Sequence, residues 1–200
     1  MVAVSATSLH RALTDPGSPA LRPLPARAAR LLEQLQAPPR LAAHLRAVHE
    51  VACQLTEWFQ RHYPDLELDR AAVAFGAAIH DIGKVAHPGE LSGPGSAHEE
   101  AGYELLLAQG VEEDLARFAR THATWAAPGV RMADLVVSLA DKVWKAKRVV
   151  ELEQLVTDRL AAASGRPPWE VYLALDDELD RVAAGADARL AFQSAYPISG

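Results

Sequence analysis

The stretch that decides the fold is "AAVAFGAAIHDIGK", residues 71–84. It runs apolar and alanine-rich, then closes on His80, Asp81, a glycine and Lys84. Burying a carboxylate beside an imidazole is costly unless each finds a partner. Val73, Ala77 and His80 share one side of a helix, so His80 points inward, and Asp81 lies about 100° further round. The two converge on one point only where the helix ends, and Gly83 reads as the stop. Taken alone, the pair also has a plainer reading: a helix-terminal His favoured by the dipole and an Asp opening a turn.

Helical patterns extend to both sides of this stretch. Asp69 is a good N-cap for the helix that ends near Ile82. Upstream, Leu41, Leu45, Val48, Ala52, Leu55 and Phe59 recur at three- and four-residue steps, which predicts a helix over 41–63 ended by Pro64 and Asp65. Downstream, "VAHPGELSGPGS" (85–96) is a Gly/Pro loop, and Ser96 caps a helix that reaches Gly110. A further helix spans about 112–124 before Pro128-Gly129, and the next spans 130–148 or continues through Ala163. Gly165-Arg166-Pro167-Pro168 punctuates, and a last helix begins near Trp169. Six of the 13 prolines fall within residues 16–39, which read as a linker holding one short helix near 26–36. The chain divides into a Pro-rich N-terminal extension (1–39), a main domain (40–163) and a C-terminal helical extension packed on it (164–200). With no alternating strand pattern in competition, the class is all-α.

The totals agree. Half of the 200 residues are hydrophobic, 23% are charged and only 6% are aromatic, an ordinary globular composition that favours helix. A net charge of -6 argues against a broad grip on DNA or RNA. Cys53 is the only cysteine, so a disulfide framework and a cysteine-based zinc site are excluded. No apolar run suffices to span a bilayer and no signal peptide is visible, so the expectation is a cytoplasmic protein.

The polar residues on the apolar faces carry the chemistry. His44 shares the inward stripe of its helix with Val48 and Ala52, whereas His49 is rotated away and reads as solvated. His10 and His62 draw no role. His98 stands four residues before Gly102, a small residue that permits close approach. His122 follows the stripe of Val111, Leu115 and Phe118, and Asp141 shares an apolar face with Val137 and Trp144. Each has a bland reading as a hydrogen-bonded core or surface residue. Together they place imidazole and carboxylate inward on five helical segments. That is a hard-to-borderline ligand set suited to a divalent Mn, Fe, Ni, Zn or Mg, in the style of sites that keep positions open for water and substrate.

With these residues assembled, the chain resembles the HD superfamily of metal-dependent phosphohydrolases. The matching phrases are "RLAAHLRAVHEVA" with His44, "AAIHDIGK" with His80 and Asp81, and "VVSLADKVWKAKR" with Asp141. The resemblance covers about 41–148 and implies an HD-domain helical bundle. "HEEAGYELL" and "RTHATW" are similar to the third- and fourth-histidine segments of binuclear members, which implies a second ion on His98 and His122 with Asp81 as the bridge. Many binuclear members carry two consecutive histidines at the fourth position, and this chain has His122 alone, so one or two ions stay open. Within that superfamily the phrases resemble small bacterial HD phosphohydrolases of nucleotides.

The resemblance implies that His44, His80, Asp81 and Asp141 hold a metal whose bound water attacks phosphorus. Asp81 and Lys84 then carry the catalytic step, and Lys84 is the first candidate for the phosphoryl charge. Lys145 and Arg148, four and seven residues after Asp141, are further candidates to meet the substrate. "KVWKAKR" also reads as a solvated face with snorkelling stems, the preferred reading for Lys147 and Arg148; Lys142 is read as structural. The loop with His87 and Glu90 is a lid or a plain connector. The partner is a small phosphorylated molecule of nucleotide type, with no nucleic acid and no membrane, and the acidic amphipathic C-terminal segment suits core packing or a homodimer. Two other functions compete: a non-catalytic nucleotide- or metal-binding sensor, and a di-iron oxygenase.

Overall fold

A computed structural model describes residues 2–198, and the described residues form helices and turns with no strand. The centre is α3 (Pro39–His62). Its start is set by Pro39 at the first turn, where a missing N–H costs nothing. Alanines at 42, 43, 47 and 52 let neighbours approach, and α3 is buried on nearly every side along its first four turns. Packed around it are α1 (Val2–Thr14), α4 (Arg70–Ile79), α8 (Met132–Val143) and α11 (Ala186–Ser194), with α2 (Ala26–Gln34) between α1 and α4.

Two 3-10 turns, Ile82–Val85 and Pro88–Leu91, lead from α4 to α5 (Ala97–Ala108). The segment expected as one helix over 112–124 is two single-turn pieces, α6 (Glu113–Ala116) and α7 (Phe118–Thr121). The chain ends with α9 (Val150–Ser164), α10 (Pro168–Ala183) and α11. No described helix is long and apolar enough to cross a membrane.

Several expectations are corrected. The chain before Pro16, where the sequence suggested no element, forms α1, and it is bound to α3 through a buried arginine. Arg46 donates to the carbonyls of Ala12 (3.0 Å), Asp15 (2.5 Å) and Leu21 (3.0 Å), supplying the donors that the end of α1 lacks. This layer also covers the face of α3 that the periodicity assigned to solvent. His49 is therefore 4% exposed, not solvated, and burial lowers its pKa to about 4. Asp69 caps α4 as expected, accepting from the Ala72 amide at 2.9 Å. However, α4 ends at Ile79, so Gly83 does not stop it.

The helix over 130–148 does not continue through 163. It closes after Val143 on Ala146, a non-glycine residue at φ +58°, with the Lys147 amide donating to the Lys142 carbonyl at 3.1 Å. Arg148 follows this turn. It pairs twice with Glu153 (both 2.9 Å) and once each with Asp176 (2.5 Å) and Asp180 (2.6 Å), clamping α10 to the head of α9.

Candidate metal centre

Five helical segments deliver six side chains to one point. His44 comes from α3, His80 and Asp81 from the end of α4, His98 from the first turn of α5, His122 from just after α7, and Asp141 from the last turn of α8. They form two groups, His44–His80–Asp141 and Asp81–His98–His122. Within each group, ligand atoms from all three residues lie within 4.8 Å of one another. The Asp81 carboxylate joins the groups. Its Oδ2 faces His44 Nε2 at 3.1 Å and His80 Nε2 at 3.7 Å, and its Oδ1 faces His98 Nε2 at 3.0 Å and His122 Nε2 at 3.5 Å. Asp141 Oδ1 lies 3.5 Å from His80 Nε2 and 3.8 Å from His44 Nε2.

The ring orientations suit a divalent cation. His80 Nδ1 meets the Ala77 carbonyl at 3.0 Å, and His122 Nδ1 meets the Ala119 carbonyl at 2.9 Å. A carbonyl only accepts, so each Nδ1 carries the proton and each Nε2 lone pair points to the centre. Nε2 of His44, His80 and His98 is buried with no hydrogen-bond partner. Buried orphan acceptors of this kind, converging with two carboxylates, fit a cation between them.

The charges are matched to that task. Burial opposes ionisation of Asp81, but the imidazoles of His80, His44 and His98 around it outweigh that and hold the carboxyl well below its usual range. Asp141 is likewise held low, burial being outweighed by His80 and Lys142. Burial pushes His44 down, and burial with the neighbouring His80 pushes His122 to about 4, so both rings are neutral. His98 is raised: burial opposes its proton, but Asp81 and Glu90 flank the ring and win.

Glycines bring α5 into place. A β-carbon on Gly83 would overlap the carbonyl oxygen of His98 and lie 2.5 Å from the amide nitrogen of Gly102. The close approach that Gly102 permits is therefore the backbone of Gly83, in the turn after Asp81. On the other side, Thr121 donates to buried Asp134 at 3.0 Å. Asp134 also accepts from the Arg131 amide at 2.9 Å and is ion-paired with Arg117, whose Nε lies 3.0 Å away, which fixes α7 and the following His122 against α8.

The cationic residues are placed differently from the expectation. Lys84 Nζ lies 2.5 Å from Asp81 Oδ2. Lys142, read as structural, lies 2.6 Å from Asp141 Oδ2 and 5.6 Å from the centroid of Trp125. Lys145 is exposed over Trp144, whose ring packs against His44. Arg148 is corrected as a substrate ligand because three carboxylates occupy its guanidinium. Helical spacing put Lys145 and Arg148 on the face of Asp141, but α8 ends two residues after Asp141, so that spacing reaches neither. The adjacency of Lys142 to Asp141 was the available signal.

Glu90 is the second addition. It accepts from the Ala97 and His98 amides at 3.2 Å each, and its Oε2 lies 2.5 Å from His98 Nδ1. It thereby replaces Ser96, whose side chain makes no capping bond. The loop over 85–96, read as lid or connector, is tied to the centre by this contact.

The HD domain family matches residues 41–144, slightly more than half of the chain and the span that contains all six side chains. The chain belongs to the HD-domain family, whose members are mostly metal-dependent hydrolases that bind divalent cations. No curated protein and no solved structure matches it.

Proposed function

We propose that the protein is a metal-dependent phosphohydrolase that cleaves a phosphate ester or anhydride of a nucleotide-type substrate. The observation that carries this reading is the Asp81 carboxylate shared between two ligand groups, with Lys84 and Lys142 set against the ligand carboxylates. His44, His80, Asp81 and Asp141 would hold one divalent ion, and Asp81, His98 and His122 a second. When bound, such ions supply Lewis acidity and a water that ionises near neutral pH.

The protein's own residues do the rest. The two lysines offer ammonium groups to phosphoryl oxygens, where charge accumulates in the transition state. Trp144 packs against His44 and helps to shield that end of the site from water. Backbone carbonyls at 77 and 119 lock two imidazoles so that no reorientation is needed when substrate arrives.

The test is turnover by protein loaded with Mn, Fe, Ni, Zn or Mg in turn, against mononucleotides, dinucleoside polyphosphates and p-nitrophenyl phosphate. Release of phosphate or nucleotide is expected with at least one ion, and Lys142→Ala should lower kcat/KM by roughly 10-fold or more. No turnover with any ion, alongside tight nucleotide binding, would refute the enzyme and favour a sensor. The full set of six side chains also meets the needs of a di-iron oxygenase. The two lysines favour phosphate over that reading, and substrate-dependent dioxygen uptake by the iron-loaded protein would reverse the preference.

A further inference from the structure

Three of the histidines at the centre have a partner at Nδ1, but they obtain it in two different ways. His80 and His122 each follow the end of a helix, so the carbonyl three residues back is available: Ala77 for one, Ala119 for the other. His98 is the second residue of α5. Residues 94 and 95 precede the helix, and no helical carbonyl lies behind the ring. An acceptor must come from elsewhere, and it comes from Glu90, eight residues back across the Gly/Pro loop.

The contact is built rather than incidental. The Glu90 side chain is 15% exposed and the His98 side chain 7%. Its two oxygens also take the first amides of α5, so the carboxylate cannot turn away without uncapping the helix. Gly95 makes room for it: a β-carbon there would overlap the Glu90 carboxylate. One side chain thus starts α5 and sets the ring that α5 carries.

We propose that Glu90 is a positioning residue for the second ion. It fixes His98 with the proton on Nδ1 and the Nε2 lone pair toward Asp81 Oδ1, and so governs occupancy of the Asp81–His98–His122 group while leaving the His44–His80–Asp141 group untouched. A carboxylate behind an imidazole also makes it a stronger donor than a carbonyl does. The inference rests on the two-ion reading above.

The experiment is a cobalt(II) titration of the full chain, followed by visible absorption and calorimetry, with thermal melts of the same samples. Wild type is expected to bind two ions. Glu90→Ala should keep one at wild-type affinity and weaken the other by about 10- to 100-fold. Glu90→Gln, which keeps the shape and one acceptor, should do the same by a smaller factor and serves if the alanine variant does not fold. Adding Ser96→Asp to Glu90→Ala gives α5 a conventional cap; thermal stability should return and the second ion should not. Two ions at wild-type affinity in both Glu90 variants, or return of the second ion with the new cap, would overturn the role of Glu90 and leave the two-ion reading standing. A single ion in wild type would overturn the two-ion reading itself, and this proposal with it.

Discussion

Replacing Gly83 by alanine should damage the protein at the point where α5 meets the centre. The added methyl would overlap the His98 carbonyl oxygen and sit 2.5 Å from the Gly102 nitrogen. Carbon pairs rest at about 3.5–4.0 Å, so roughly an ångström of separation must be found. Both obstructing groups are backbone, and no rotamer change can supply it. Overpacking ordinarily costs about 1–3 kcal/mol, and this substitution belongs at or above the top of that range.

Two other glycines calibrate the effect. At Gly102 a β-carbon would meet Gly83 N at 3.0 Å and the Ala119 β-carbon at 3.2 Å, a tighter-than-usual contact worth about 1 kcal/mol. At Gly89 nothing lies within 4 Å, and alanine should be neutral or stabilising by a few tenths of a kcal/mol. Urea denaturation of the three variants should therefore rank Gly83→Ala far below Gly102→Ala and Gly102→Ala below Gly89→Ala, at similar m-values. Because His98 rides on the displaced helix, Gly83→Ala should also lose one bound ion before the other. A Gly83→Ala variant with the wild-type midpoint would refute the close approach of these two backbones.

Further outcomes follow from the packing. Arg148→Ala leaves Glu153 buried without its guanidinium and should cost about 3 kcal/mol in chemical denaturation, while KM for phosphate substrates stays unchanged; a raised KM would return Arg148 to the substrate. His49 is depressed from 6.5 to about 4, which at about 1.4 kcal/mol per tenfold change in proton affinity makes roughly 3 kcal/mol. The folded value lies below the unfolded one, so this stability is complete above about pH 6.5 and is lost as the pH falls toward 4. Denaturation curves of His49→Leu should be flatter than wild type across that window, and equal slopes would show that His49 is not a buried neutral ring. Ala146→Gly should stabilise by about 1 kcal/mol, because glycine carries no penalty at φ +58°; a lower melting temperature would contradict the left-handed turn.

The residues that sequence made legible are those whose position follows from helical period alone. His44, His122 and Asp141 lie on apolar stripes, and His80 closes one, so their convergence needed only that the stripes face a common core. What escaped depended on longer-range packing. His49 was misread because a single stripe implies one buried face, and α3 is covered on the other by α1, which Arg46 holds in place. Arg148 is paired with Glu153, Asp176 and Asp180 rather than solvated because α8 ends on a left-handed alanine that no periodicity announces. Glu90 lies in a loop with no period, eight residues from the ring it holds. The α1 helix mixes Ser, Thr, Ala and Leu without a strong cap or stop until Pro16, so its local signal is weak.

The central claim is that Asp81 joins two ligand groups into one two-ion centre. Anomalous diffraction from crystals grown with manganese or zinc tests it most directly. The account predicts two peaks on opposite sides of the Asp81 carboxylate, one against His44, His80 and Asp141, the other against His98 and His122. A single peak, or two peaks that do not share Asp81, would contradict it.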